Sequence, residues 1–371
     1  MPELAIVGID LAKSVFQIHG VDENGRVLVR RQLRRSQLLA FFQKRPRCLI
    51  GMEACAGSHD WGRRLQEMGH DVRLMPPSYV KPYVKRGKTD AADAAAICEA
   101  VTRPSMRFVA IKSEACSSVL VLHRTRDFLV RQRTQIGNAI RAHMMEFGII
   151  AAKGAQNVDR LKDQLDRLPD AARMPVSLLF DQLAETNKRV ERLTDEIEET
   201  YEQSETSQRL ATIPGVGMVS ATIIAATTPD VGNFDCARDY AAWLGLTPKP
   251  HSTGGKQRVG RISKMGNRYI RRLLYLGAMA QIMLRRRLKR EPGSDWLSSM
   301  LIRKKTKVVA IALRIAWQEQ SSPSSEMDHV TSRRQPDWLS EWSGRSEVMA
   351  NSRRRRIRTP RSIRSASSAL D

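Results

Sequence analysis

Four carboxylates stand where their type and placement suit metal chemistry. Asp10 closes the apolar run AIVGID, Glu53 closes CLIGME, and Asp90 and Asp93 lie three apart in KTDAADAAAICEA. That spacing puts the last two on one face of a helix. Acids at the strand ends of an α/β sheet sit where such sheets build sites. Two strand-end acids with a helical pair can hold two divalent cations, and hard oxygen donors suit Mg²⁺ or Mn²⁺. Two such cations about 4 Å apart stabilise the attacking and leaving oxygens of phosphoryl transfer. Each acid alone has a plainer reading, as a turn residue or, for Asp90, as a first-turn residue favoured by the helix dipole after Thr89 as N-cap. Glu3, Asp22 and Glu23 lack this setting and read as solvated. Lys13, just after Asp10, and Lys88, just before Asp90, are placed to contact phosphate. His59, within a turn or two of Glu53, is a general-acid candidate of lower standing.

A second group lies far along the chain. LATIPGVGMVSATIIAA reads as helix, turn, helix, with Gly215 and Gly217 in the turn. Glycines there permit close backbone approach, and the second helix offers its amide terminus to a phosphate. The same pattern serves purely structural turns. Ser252 and Thr253 precede Gly254-Gly255 in a loop flanked by Lys249, His251, Lys256 and Arg258. Such composition is ordinary loop chemistry, yet a hydroxyl among cations can also attack phosphorus once activated. Composition leaves both open.

The charge says what these groups face. There are 62 Lys+Arg against 39 Asp+Glu, a formal net charge of +23. Residues 249–317 hold 18 Lys/Arg and only two acids, Glu291 and Asp295, which places most of the excess in one stretch. Lys256, Arg258, Lys264, Arg268 and Arg271 open it. Cations without nearby acids favour a polyanion, and nucleic acid is the expected partner. Other classes are excluded. No uncharged apolar run is long enough for a membrane span, and the N-terminus lacks the basic start of a secretory signal. Five scattered Cys form neither a zinc knuckle nor a disulfide framework, which fits a reducing cytoplasm.

These groups need elements to hold them. LAIVGID and SVFQIHGV, then RVLVRRQL after the turn Asp22-Glu23-Asn24-Gly25, predict antiparallel strands. Helix over 36–43, strand CLIGME, helix over 57–68, strand DVRLM and an Ala-rich helix over 89–101 follow. The pattern predicts a mixed α/β sheet in residues 1–110. Helical periodicity over 113–150 and 174–204 predicts a long helical hairpin or coiled coil spanning 111–205, serving as spacer or dimerisation arm. Residues 206–317 read as a second compact, mostly helical unit, and 318–371 as a disordered basic tail.

Taken together, GIDLAKSVFQIHGVDENG, IGMEACAGSHDWGRRL and GKTDAADAAAICEA resemble the catalytic blocks of transposases of the insertion sequence 110 family. LATIPGVGMVSA and YAAWLGLTPKPHSTGGKQRVGRISKMGNRYIRRLL resemble that family's C-terminal transposase domain, and H-S-T-G-G-K is similar to the insertion sequence 1111 subgroup. The resemblance covers about residues 4–317. It implies an RNase H-like (RuvC-like) first domain with Asp10, Glu53, Asp90 and Asp93 as its metal-binding set. It also implies a serine in the second domain that attacks DNA and forms a covalent phosphoserine intermediate. That role falls on Ser252, because its primary hydroxyl is less hindered and the subgroup's extra glycine accounts for a one-residue offset; counting back from Gly266-Asn267 leaves Thr253 as the alternative. Homo-oligomers, dimer or tetramer, whose domains meet across subunits, and a structured non-coding guide RNA are further implications. A RuvC-like structure-selective nuclease using metal-activated water, and a non-enzymatic nucleic-acid scaffold, are the competing readings.

Overall fold

The computed structural model describes residues 3–85, 89–228, 234, 236–251, 253, 259–287, 296–306 and 309–310. Its chain divides into two compact units, 1–128 and 129–371.

In the first unit, five strands form one sheet: β1 (Ile6–Leu11), β2 (Val15–Val21), β3 (Val27–Arg34), β4 (Leu49–Glu53) and β5 (Asp71–Met75). Their spatial order is β3-β2-β1-β4-β5. The β1–β2 and β2–β3 pairs are antiparallel, and β1–β4 and β4–β5 are parallel. This is the mixed sheet that the strand pattern predicts. Parallel neighbours need crossovers, which α1 (Leu38–Gln43) and α2 (Ser58–Glu67) supply; α3 (Pro77–Val80) and α4 (Asp90–Ala100) follow β5. The β2–β3 turn corrects one expectation. Asp22 is buried, not solvated, and its carboxylate accepts the amides of Asn24 (3.0 Å) and Arg26 (2.8 Å) while Gly25 takes φ 79°. The short carboxylate closes the turn that sets the β3 register.

Strand alternation splits the residues between two faces. One packs Ile9, Phe16, Ile18 and Leu33 under Leu38, Phe42, Trp61 and Leu65, with Phe16 and Trp61 edge to face at 5.3 Å. The other receives α4, whose Ala96, Ile97 and Ala100 join Met75 and Val80 in a second cluster. Gly8 makes this approach possible. A Cβ there would lie 2.2 Å from the Ala94 carbonyl oxygen and 2.4 Å from the Cys98 nitrogen. Thr89 caps α4 as expected, its Oγ1 accepting the Ala92 amide at 3.2 Å.

A single helix, α5 (Glu114–Met145), runs across the division between the units. In the second unit, its Ile136, Ile140 and Met144 pack with Val176, Phe180 and Leu183 of α6 (Asp170–Glu202), a helix with Pro175 near its start. Between them, 155–157 and 159–167 are 3₁₀ turns, where the sequence suggested only a Gly/Asp/Pro-bearing linker. Helices α7 (Glu205–Ala211), α8 (Met218–Thr227) and α9 (Ala237–Trp243) lead to a two-stranded ribbon, β6 (Pro248–Pro250) with β7 (Val259–Ile262), which the helical expectation missed. Helices α10 (Arg268–Arg287) and α11 (Trp296–Arg303) follow. The expected basic tail, 318–371, lies outside the described residues.

Replacing Gly8 tests the close approach. Gly8→Ala must separate β1 from α4, an overpacking expected to cost about 1–3 kcal/mol. The melting midpoint of the full chain should fall, whereas Gly57→Ala, with open space around it but left-handed backbone, should cost less. Equal midpoints for Gly8→Ala and the parent would contradict this packing.

Candidate metal and strand-transfer sites

The elements of the first unit bring three of the four predicted acids together. Asp10 sits near the end of β1, and α4 begins at Asp90 with Asp93 one turn on. One carboxylate oxygen from each of Asp10, Asp90 and Asp93 lies within 4.8 Å of the others. Glu53, at the end of β4 beside β1, is not one of the three, but its charge couples to Asp10 and Asp93. Among the described residues none of the four is ion-paired with Lys or Arg.

The electrostatics follow from that placement. Burial, then repulsion from Asp93 and Asp90, holds the Asp10 carboxyl above the usual range, partly offset by the Leu11 amide. Glu53 is raised by burial and by Asp10 and Asp93. Like charges so placed resist ionising together unless a cation lies among them. The donor set is all oxygen, which fits a hard divalent cation.

One neighbour was not evident from sequence. Cys55, two residues after Glu53, has its thiol pushed up by burial and by Glu53 and Asp10. His59 belongs to a different contact: its Nδ1 accepts the Lys112 amide at 3.3 Å and its Nε2 lies 3.0 Å from Lys112 Nζ. Burial and the positive charges of Lys112, Arg63 and Arg124 lower its pKa to about 4. The imidazole is therefore neutral near pH 7 and lacks the extra proton a general acid donates. Its contacts tie α2 to the segment leading into α5. Lys13 is exposed in the β1–β2 turn, at the carboxylate end of the sheet, and Lys88 lies outside the described residues.

In the second unit, the Pro214–Gly217 turn is held from behind. Gly215 takes φ 87°, and its carbonyl oxygen would lie 2.0 Å from a Cβ placed on Gly277 of α10. Gly217 is the exposed N-cap of α8 and has open space where a Cβ would go. The Ser252 loop is framed by β6 and β7: Ser252, Lys256 and Arg258 lie outside the described residues, and Thr253 is exposed. Gly266 fits against Trp243, where a Cβ would lie 2.1 Å from its carbonyl oxygen. The His251 ring lies over Gly260. Asn267 Oδ1 accepts the Tyr269 and Ile270 amides, capping α10. Lys264 and Arg268 are exposed, whereas Arg271 donates to the Leu244 carbonyl oxygen at 2.9 Å and so braces α9. Further along α10, Arg285 and Arg286 donate to the Ser298 and Thr306 hydroxyls.

A chain with a carboxylate cluster on a mixed sheet and a separate basic helical unit is matched by transposases. The transposase family DEDD_Tnp_IS110 matches residues 7–149, and the family described as Transposase IS116/IS110/IS902 matches residues 207–291. Three relatives match across both. A Pseudomonas aeruginosa protein named "Probable family 20 transposase" is 43% identical over 325 residues, 85% of this chain and 96% of its own length. The transposase of insertion sequence element IS1328 from Yersinia enterocolitica is 38% identical over 326 residues, 85% and 97%. That of IS1111A from Coxiella burnetii is 34% identical over 318 residues, 84% and 87%. The chain belongs to the IS116/IS110/IS902 family of transposases, enzymes that cut and rejoin DNA.

The acidic cluster makes a signed stability prediction. The folded chain keeps protons on Asp10 and Glu53 to higher pH than the unfolded chain does. Metal-free stability therefore falls as pH rises through the carboxylate range and stays lowered above it. Asp10→Asn removes one of the repelling charges. In chelator, its melting midpoint should exceed the parent's by a few degrees at pH 7, and the gap should close as pH falls to about 4. A lower midpoint for Asp10→Asn at every pH would contradict the mutual repulsion.

Proposed function

We propose that this transposase cuts and rejoins DNA using a divalent-metal site in an RNase H-like, RuvC-like N-terminal domain together with Ser252 of the C-terminal domain. The observation that carries this is the juxtaposition of Asp10, Asp90 and Asp93, with Glu53 electrostatically coupled to them, in a chain of net charge +23. The sheet order β3-β2-β1-β4-β5 supports the domain assignment. The four acids would hold Mg²⁺ or Mn²⁺, which when bound neutralises charge on the oxygens of the phosphodiester. Asp10 and Glu53 anchor the set from rigid strands, and α4 adds Asp90 and Asp93 from its first turn.

The Ser252 hydroxyl is the proposed nucleophile. Its Oγ bonds to phosphorus as the bond from phosphorus to one DNA oxygen breaks. The serine proton leaves to solvent or a nearby base, and the freed oxygen takes up a proton. The reverse attack by a new DNA end releases the serine and completes the exchange. Splitting cleavage and rejoining this way conserves the phosphodiester energy in the phosphoserine. The β6–β7 ribbon, paired at Pro250 and Val259, brackets the loop. Lys13, Lys88, Gly215, Gly217, Lys256, Arg258, Lys264, Arg268 and Arg271 are the proposed nucleic-acid contacts, with Arg271 also bracing α9. The proposal extends to a homo-oligomer, dimer or tetramer, with α5 and α6 as its arm, to a structured non-coding guide RNA and to cytoplasmic action. Among the described residues no helix is long and apolar enough to cross a membrane. Residues 1–110, 111–205 and 206–317 are the proposed domains, with 318–371 a basic tail.

Incubation with Mn²⁺, labelled element-end DNA and RNA transcribed from the element should give a covalent protein–DNA adduct on a denaturing gel. Ser252→Ala should lose the adduct, and Asp10→Asn should lower cleavage by about a thousandfold or more while DNA binding persists. Cleavage surviving Ser252→Ala without adduct would favour a hydrolytic nuclease instead. Full activity of Asp10→Asn would overturn the metal-site assignment.

A further inference from the structure

The sheet face that carries Asp10 is only partly covered. Helix α4 packs over β1 and reaches β2, but β3 stands beyond it as an edge strand. The strand register shows what it displays there. Asp10 pairs with Gln17, and Gln17 with Gln32; Gly8 pairs with His19, and His19 with Arg30. Cross-strand partners share a face, so Arg30, Gln32 and Arg34 line the same face as Gly8 and Asp10. All three are exposed. The buried His19 lies on this face by the same register, and its pKa is lowered by burial and then by the charges of Arg30 and Lys85.

We infer that this β3 edge, with Arg30, Gln32 and Arg34, is a docking platform for the backbone of the DNA strand presented to the carboxylates. The inference rests on the function proposed above. Strand spacing puts Gln32 about 10 Å from Asp10, and Arg34, one pleat further along, about 12 Å away. Arg30 and Arg34 are about 14 Å apart along the strand, the axial rise of about four phosphates on one DNA strand. The charge is one-sided: from Arg26 to Arg47 there are eight Lys/Arg and no acid. Among the described residues, Arg30 and Arg34 form no ion pair. Charged side chains also guard edge strands against pairing. Arg31 lies on the opposite face, but guarding alone does not explain why the face that carries Asp10 shows arginines and no acid along β3. A row of arginines there counters the repulsion that those carboxylates exert on an approaching phosphate.

The test uses the full chain carrying Asp10→Asn, so that DNA stays uncut. Binding to a mixed-sequence DNA duplex and to an RNA hairpin of matching length is measured across salt concentrations. Each phosphate contact adds about 0.9 to the slope of log affinity against log salt. Arg30→Gln with Arg34→Gln should lower the DNA slope by about 1.8, so that raising salt from about 50 to about 200 mM costs the variant roughly 12-fold less affinity than the parent. Arg160→Gln with Lys162→Gln, exposed cations of the second unit, removes the same charge and should leave the slope near the parent's. Matching melting midpoints exclude misfolding. An unchanged slope, an equal drop in the control, or a drop confined to RNA would overturn the platform while leaving the proposed function intact. Failure of the parent to bind any nucleic acid would instead sink that function, and the platform with it.

Discussion

The contact on which the first unit depends is backbone against backbone, where β1 passes under α4 at Gly8. Helix and strand approach so closely that a methyl group would collide with a carbonyl oxygen and an amide. That distance decides the carboxylate geometry, because Asp10 projects from the same face two residues on and Asp93 lies one residue before Ala94. The sheet core then serves as an anvil: Ile9, Phe16 and Ile18 are fully buried on the opposite face, each contributing about 1.5–3 kcal/mol through burial. Part of that stability is spent in holding like charges together. The first unit thus carries a local electrostatic strain that a bound cation would relieve.

Much of this was legible in the chain, for reasons that can be located. Strands β1 to β5 and helices α2 and α4 are visible because period-2 and period-3.6 patterns are strong there, and Asn24-Gly25 marks the hairpin. The four acids stand out in the sequence because each terminates an apolar run or opens a helix. Asp22 was misjudged because a carboxylate in a turn looks solvated until its two amide partners are placed. His59 looked like a proton donor by position, but burial, and then the cations around it, keep it neutral. Arg30, Gln32 and Arg34 passed as ordinary polar residues because their meaning lies in register across three strands, which no local window contains. In the second unit, proline and glycine disguised the β6–β7 ribbon as loop.

The two units divide the electrostatic labour. The first concentrates negative charge at one end of a sheet and sets arginines beside it; the second carries most of the chain's positive excess. Within the second, some of those cations also serve the fold. Arg271 secures the end of α9, and Arg285 and Arg286 reach hydroxyls. These cations therefore brace the helices of the second unit as well as adding to its positive excess.

The meeting of Gly215 with Gly277 has a mechanical consequence. Where side chains separate two elements, rotamers can absorb small displacements. Here carbonyl oxygen faces bare α-carbon, and no such cushion exists. A polyanion pulling on the cationic flank of α10 would transmit that motion to the turn, and through it to the open end of α8. Helix and turn are thus coupled without slack, so a displacement of α10 would carry the turn with it.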